Sequence, residues 1–117
     1  MTAIITHYAY ARGGAVAVGF HIRRVSKKGD EAHQFGARIM LAPEEASEMA
    51  EAIRDEFGKF RRESPSGAVE IWREPCEPSE IIWTFGGDEI RFPIDPRDGW
   101  SWDYAEDIGK ASEEAAQ

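Results

Sequence analysis

The chain has 117 residues and a mass of 13.1 kDa, so we expect one compact domain over residues 1–117. A hydrophobic content of 42% is enough for a buried core and excludes a disordered chain. Fourteen basic and 22 acidic residues leave a formal net charge of −8, which argues against undirected binding to a phosphate backbone.

Cysteine use and the hydrophobic pattern indicate the compartment. The single cysteine, Cys76, cannot form an internal disulfide, and zinc sites with two or more thiolates are excluded. The first residues lack a basic segment, and no apolar run reaches about 18 residues, so we expect neither a signal peptide nor a membrane span. The sequence therefore predicts a cytoplasmic protein without membrane attachment.

Charge is distributed unevenly along the chain. Residues 1–41 carry a net +4, residues 42–69 carry −3, and residues 70–117 carry −9. This asymmetry predicts a bipolar surface. The alternative is that folding interleaves the basic and acidic regions in space.

Three alternating segments, separated by turn residues at 12–14 and 26–30, predict a three-stranded antiparallel meander. A turn at Gly13 and Gly14 makes opposing positions sum to 27, and a turn at Lys28 and Gly29 makes them sum to 57. Both registers leave the same face apolar. The inner pairs are then Ile5–Ile22, His7–Phe20 and Ala9–Val18 in the first hairpin, and Ile22–Phe35, Phe20–Ala37 and Val18–Ile39 in the second.

The segment that starts at Pro43 predicts a long amphipathic helix. Pro43 suits the first helical position, and Glu44 and Glu45 place negative charge at the positive end of the helix dipole. The loop at 64–67 follows. The apolar stripe at helical spacing comprises Ala46, Met49, Ala50, Ile53, Phe57 and Phe60.

The last third of the sequence predicts a strand over 68–74, a hairpin over 80–94 and a short terminal helix. A turn at Gly86 and Gly87 makes opposing positions sum to 173 and places Ile81 and Phe92 opposite each other on the inner face. Ser101 is the expected N-cap of the helix, and 112–117 is the expected frayed tail.

The fold class that results is α+β. We expect an antiparallel meander sheet, with strands 1–3, a helix and strands 4–6 in chain order. One long amphipathic helix packs on one face of the sheet, and the short C-terminal helix follows.

No motif for catalysis, metal binding or a cofactor is found. The register places His7 inside and His21 outside, and no two histidines have metal-ligand spacing, so we predict no metal site. Acidic neighbours raise the pKa of a thiol, so Cys76 is interpreted as a loop cysteine rather than a nucleophile. We predict no catalytic residue and no cofactor, and keep a small enzyme with an unrecognised site as an alternative.

Two surfaces are candidates for binding. The first is the outer face of the meander, where flat backbone at Gly19 and Gly36 lies between residues that suit recognition and base stacking. The alternative is that the terminal helix or the third sheet segment covers this face. The residues expected there are Tyr8, Tyr10, His21, Arg23 and Arg38.

The second surface interleaves aromatic and acidic residues near the C-terminus, where aromatic anchors and steering carboxylates suit docking on a basic protein groove. The alternative is that the aromatic residues close the core and the acids only keep the chain soluble. The residues of this surface are Asp95, Asp98, Trp100, Trp102, Asp103, Tyr104, Glu106 and Asp107.

The leading functional hypothesis is a non-enzymatic acidic binding module or inhibitor. Its expected partner is a basic protein or nucleoprotein complex that handles nucleic acid. In size, single-domain build, acidity and lack of catalytic motifs, the chain resembles the small phage-encoded inhibitors of bacterial defence complexes, the anti-CRISPR proteins among them. That resemblance implies inhibition and carries over no site residue. The alternative is a nucleic-acid or nucleotide binder that uses the outer sheet face, and a homodimer through that face is also compatible.

Overall fold

The structure is a computed structural model that describes residues 2–25, 28, 31–55, 58–74, 77–94 and 99–117. Over these residues the fold is α+β, with two antiparallel sheets and two helices. The elements in chain order are β1 (Thr2–Arg12), β2 (Ala15–Val25), β3 (Glu31–Leu41), α1 (Pro43–Arg54), β4 (Lys59–Ser64), β5 (Gly67–Glu74), β6 (Glu77–Phe85), β7 (Asp88–Pro93) and α2 (Trp100–Ala116).

The first sheet is the three-stranded meander β1-β2-β3. Both expected registers are confirmed, as His7 lies opposite Phe20 and Phe20 lies opposite Ala37. Gly13 and Gly14 have φ values of 58° and 82°, the left-handed region that a two-residue hairpin turn needs at both central positions. The second turn includes Gly29, which lies outside the described residues.

The second sheet is the meander β4-β5-β6-β7. The expected register of its last hairpin is confirmed, because Ile81 lies opposite Phe92 and Trp83 lies opposite Ile90. The expectation of one sheet with six strands was wrong: the described residues form seven strands in two sheets.

The strand that was not expected is β4, between α1 and β5. The helical stripe was expected to continue through Phe57 and Phe60, but α1 ends at Arg54, and Phe60 lies in β4 opposite Ile71. Gly58 allows the chain to pass close to the end of α1, because a Cβ at this position would lie 2.0 Å from the Ala52 carbonyl oxygen. Phe57 lies outside the described residues. An apolar residue at position 60 suits either period, and pairing with β5 selects the strand.

The terminal helix is longer than expected. α2 has 17 residues, its N-cap is Gly99 rather than Ser101, and Ser101 is buried inside the helix. The Ser112 hydroxyl donates a hydrogen bond to the Pro43 carbonyl at 2.6 Å, which ties the end of α2 to the start of α1. The helix runs through Ala116, so most of the segment expected to fray is helical.

The core lies between the inner faces of the two sheets and the helices. Phe20 of the first sheet contacts rings of the second, with centroid distances of 5.4 Å to Trp83, 5.8 Å to Phe85 and 5.2 Å to Phe92. α2 packs on α1, β1 and β2, and α1 also contacts β4 and β5. The outer face of the first sheet remains exposed at Thr6, where neither of the two described helices covers it.

Candidate functional site

α2 separates the residues of the predicted acidic and aromatic surface. Helical spacing places Trp100 and Tyr104 one turn apart on the side that meets β1, whereas Trp102 points to solvent and is 43% exposed. Asp103, Glu106 and Asp107 are exposed as well. The other two residues of the prediction, Asp95 and Asp98, lie outside the described residues.

Tyr104 is a buried link between α2 and the first sheet. It is 2% exposed, and its hydroxyl lies 3.4 Å from the carbonyl oxygen of Gly19, to which it donates a hydrogen bond. Burial raises the pKa of Tyr104 far above its ordinary value, so the phenol stays protonated and remains a donor. Tyr104 is therefore not available as an anchor for a partner.

The two helices carry most of the net charge of the protein. α1 contains four glutamates and one arginine, a net −3, and α2 contains five acids and one lysine, a net −4, which together make −7 of the total −8. We call the exposed acids of these adjacent helices the acidic helix surface. Its residues are Glu44, Glu48, Glu51, Asp103, Glu106, Asp107, Glu113 and Glu114.

Few basic residues neutralise this surface. Arg62 of β4 donates to Glu45 at 2.5 Å and to Glu48 at 2.7 Å, and Lys110 lies 3.2 Å from Glu106. Hydrogen bonds from the Ala42 backbone and from Arg62 lower the pKa of Glu45. Within the described part of the chain, the ion pairs of the two helices involve no arginine of the first sheet.

A cavity of about 380 Å³ opens between α2, β1 and the end of β7. We call it the α2 cavity. Four of its eight lining residues belong to the predicted acidic and aromatic surface, and the other four were not among the predicted site residues. The lining residues are Ile5, His7, Phe92, Pro93, Trp100, Asp103, Tyr104 and Asp107.

His7 stands in the wall of this cavity among aromatic rings. Its imidazole stacks on Trp100 at 4.6 Å, meets Phe92 edge-on at 4.6 Å and lies 5.1 Å from Tyr104. The Nε2 atom is buried and has no hydrogen-bond partner among the described residues. Burial lowers the pKa of His7 to about 4, so the ring is neutral at pH 7. The register predicted from the sequence already placed His7 on the inner face of β1.

The outer face of the first sheet brings the other predicted set together. Tyr8 and Arg38 flank Gly19 on neighbouring strands, and the Tyr8 ring lies over Gly19, where an added Cβ would be 2.7 Å from the Tyr8 hydroxyl. Tyr10 stacks on Tyr8 at 6.0 Å, and Arg38 Nη1 donates to the Tyr10 hydroxyl at 2.8 Å. Burial raises the pKa of Tyr8, and Arg38 opposes the rise.

His21 and Arg23 complete this face. They border a shallow depression with Thr6, Tyr8 and Tyr10, and Arg23 is exposed. All five predicted residues therefore lie on one open surface.

Metal ligands do not cluster in the described part of the chain, where no group of three His, Cys, Asp or Glu side chains could hold an ion. Cys76 lies outside that part. None of the described helices has the length and apolar character needed to cross a bilayer. Comparison with known protein families, with curated proteins and with solved structures found no match.

Proposed function

We propose that this protein is a non-enzymatic binding module whose acidic helix surface docks on the basic surface of a protein or nucleoprotein complex that handles nucleic acid. The proposal rests on one observation: the two adjacent helices have a net charge of −7. Carboxylates in this arrangement occupy the positions that phosphates take on such a partner. Binding would therefore exclude nucleic acid and inhibit the partner, as in the phage-encoded inhibitors that the chain resembles.

Electrostatics favours one orientation of this protein when it meets a basic partner. The described strands of the first sheet carry four arginines and one glutamate, so a basic partner is repelled by that sheet and attracted by the helices. Trp102 of α2 is 43% exposed, and Asp103 and Glu106 of the same helix are exposed as well. An exposed tryptophan within a charged rim is a typical interface anchor.

The test compares two variants with the same change in net charge. One replaces Glu44, Glu51, Glu113 and Glu114 with glutamine on the helices. The control replaces Glu63, Glu70, Glu80 and Glu89 with glutamine on the outer face of the second sheet. Each protein is mixed with a purified bacterial nuclease complex that binds nucleic acid, and co-elution is measured at about 0.05 M and about 1 M NaCl.

We expect a stable complex at low salt that dissociates at high salt, because the attraction is between exposed charges. The helix variant should bind at least about tenfold more weakly, whereas the control stays within about threefold. A single-stranded oligonucleotide should compete with the wild-type protein. Equal weakening of the two variants, or binding that ignores salt, would reject the helices as the docking surface.

A second candidate function is supported by the outer face of the first sheet. Tyr8, Tyr10 and Arg38 form a fixed aromatic and cationic platform there, which suits base stacking. Labelled oligothymidine at about 0.05 M NaCl is the probe, read by fluorescence anisotropy. Replacing Tyr10 with alanine and Arg38 with glutamine should weaken binding about tenfold or more, and the control pair Trp72→Ala and Arg61→Gln should not. No binding by the wild-type protein excludes this function.

A further inference from the structure

We propose that the α2 cavity binds the quaternary ammonium group of a small organic cation. The cavity combines aromatic walls with two carboxylates, and neither the proposed docking nor the core requires that combination. Its volume of about 380 Å³ lies within the range of small-molecule sites, about 300 to 1,000 Å³. The site would exist in the isolated protein and does not depend on the docking proposal.

The walls favour a cation through their π-systems. Trp100, Tyr104 and Phe92 each lie within about 5 Å of His7, so one side of the cavity is a packed aromatic cluster in which Trp100 and His7 are partly exposed and Tyr104 and Phe92 are buried. Aromatic faces attract alkylammonium groups, and such rings recognise quaternary ammonium ligands in many proteins. Because burial lowers the pKa of His7 to about 4, its imidazole adds no positive charge at pH 7.

The carboxylates give the cavity its charge. Asp103 and Asp107 are one helical turn apart on α2, and both line the cavity. Lys110 forms its ion pair with Glu106, which does not line the cavity. The start of α2 contributes about half a positive charge, which two full negative charges outweigh. The net field at the cavity therefore favours a cation.

The hydrogen-bonding groups distinguish between classes of ammonium. A primary ammonium has three N–H donors that need acceptors, whereas a quaternary ammonium has none. Asp103 and Asp107 can accept hydrogen bonds on the α2 side of the cavity. Elsewhere the Tyr104 hydroxyl already donates to Gly19, His7 Nε2 is buried, and Ile5, Phe92 and Pro93 offer apolar surface that cannot accept the remaining N–H groups. A group that presents methyls to the rings and its charge to Asp103 and Asp107 suits this cavity best.

The test is a titration of the purified protein with choline chloride at pH 7, followed by calorimetry and by tryptophan fluorescence. The matched neutral probe is 3,3-dimethyl-1-butanol, which has the shape of choline and no charge, and ethanolamine is the primary-ammonium probe. We expect a choline dissociation constant between about 10 μM and about 1 mM, and at least about tenfold weaker binding of the other two probes.

Variants locate the site. Asp103→Asn and Asp107→Asn should each weaken choline binding about three- to tenfold, and Trp100→Leu should abolish it while the circular dichroism spectrum stays native. Glu113→Gln, on the same helix and outside the cavity, should bind choline as the wild type does. The four-glutamine helix variant described above should also retain choline binding, so the two proposals fail separately. Equal affinity for the neutral probe, or no choline binding up to about 10 mM, would overturn the inference.

Discussion

Replacing Phe20 with alanine should lower the free energy of unfolding by about 3–5 kcal/mol. Phe20 is 1% exposed and extends from β2 into a cluster formed by Trp83, Phe85 and Phe92 of the other sheet. Truncation removes both the buried area and the contacts that join the two sheets. A small protein has a total stability of about 5–15 kcal/mol, so this one change removes a large share of it.

Urea denaturation measures the loss and also tests whether the sheets unfold together. Tryptophan fluorescence reports partly on Trp83 in the second sheet, and far-UV circular dichroism reports on the whole chain. We expect one transition with coincident midpoints for both signals, shifted to lower urea in the variant. The control is Ile4→Ala at a 41% exposed position of β1, which should change stability by less than about 1 kcal/mol. Separate transitions, or a small effect of Phe20→Ala, would contradict a shared core.

The strand registers could be predicted from the sequence because local chemistry sets them. Gly13-Gly14 and Gly86-Gly87 both adopt positive φ values, which fixes the turn and hence every pair along the hairpin. The face of each β1 and β2 residue follows from that register. For this reason the cluster of Tyr8, Tyr10, His21, Arg23 and Arg38 could be predicted as one surface.

The boundary of α1 could not be predicted because two periods fit the same residues. Phe60 continues the apolar stripe of the helix, and it also fits the inner face of a strand. The pairing of β4 with β5, which places Phe60 opposite Ile71, is a long-range contact that no local pattern contains. β4 adds one strand to the three that were expected in the second half of the chain, and these four strands form a sheet of their own.

The site on α2 was only partly predictable for a related reason. Trp100, Trp102 and Tyr104 alternate along the sequence, which suggests that they share a surface. In the helix, Trp100 and Tyr104 lie on one side and Trp102 lies on the other. The cavity also needs Phe92 and Pro93 from the second sheet, whose position relative to α2 is set by packing alone.

Acidification from pH 7 to pH 5 should lower the free energy of unfolding by about 2 kcal/mol through His7 alone. The pKa of this group is about 4 in the folded protein because burial disfavours the imidazolium, and its ordinary value is 6.5. Between these two values the unfolded chain binds a proton that the folded protein does not. The stability is therefore fully present above about pH 6.5 and is lost as the pH falls toward 4.

Urea denaturation at pH 7, 6 and 5 measures this slope, in a range where ordinary carboxylates contribute little because most of their titration lies below pH 5. Phe at position 7 fits the aromatic surroundings and cannot bind a proton, so His7→Phe should flatten the profile. The control Thr6→Ala, at an exposed position of β1, changes no titratable group and should keep the wild-type slope. A wild-type profile that is already flat, or one that His7→Phe leaves unchanged, would contradict the lowered pKa of His7. The ring would then take up its proton in the folded protein near pH 6.5, and the imidazolium formed below that pH would oppose a cationic ligand in the cavity.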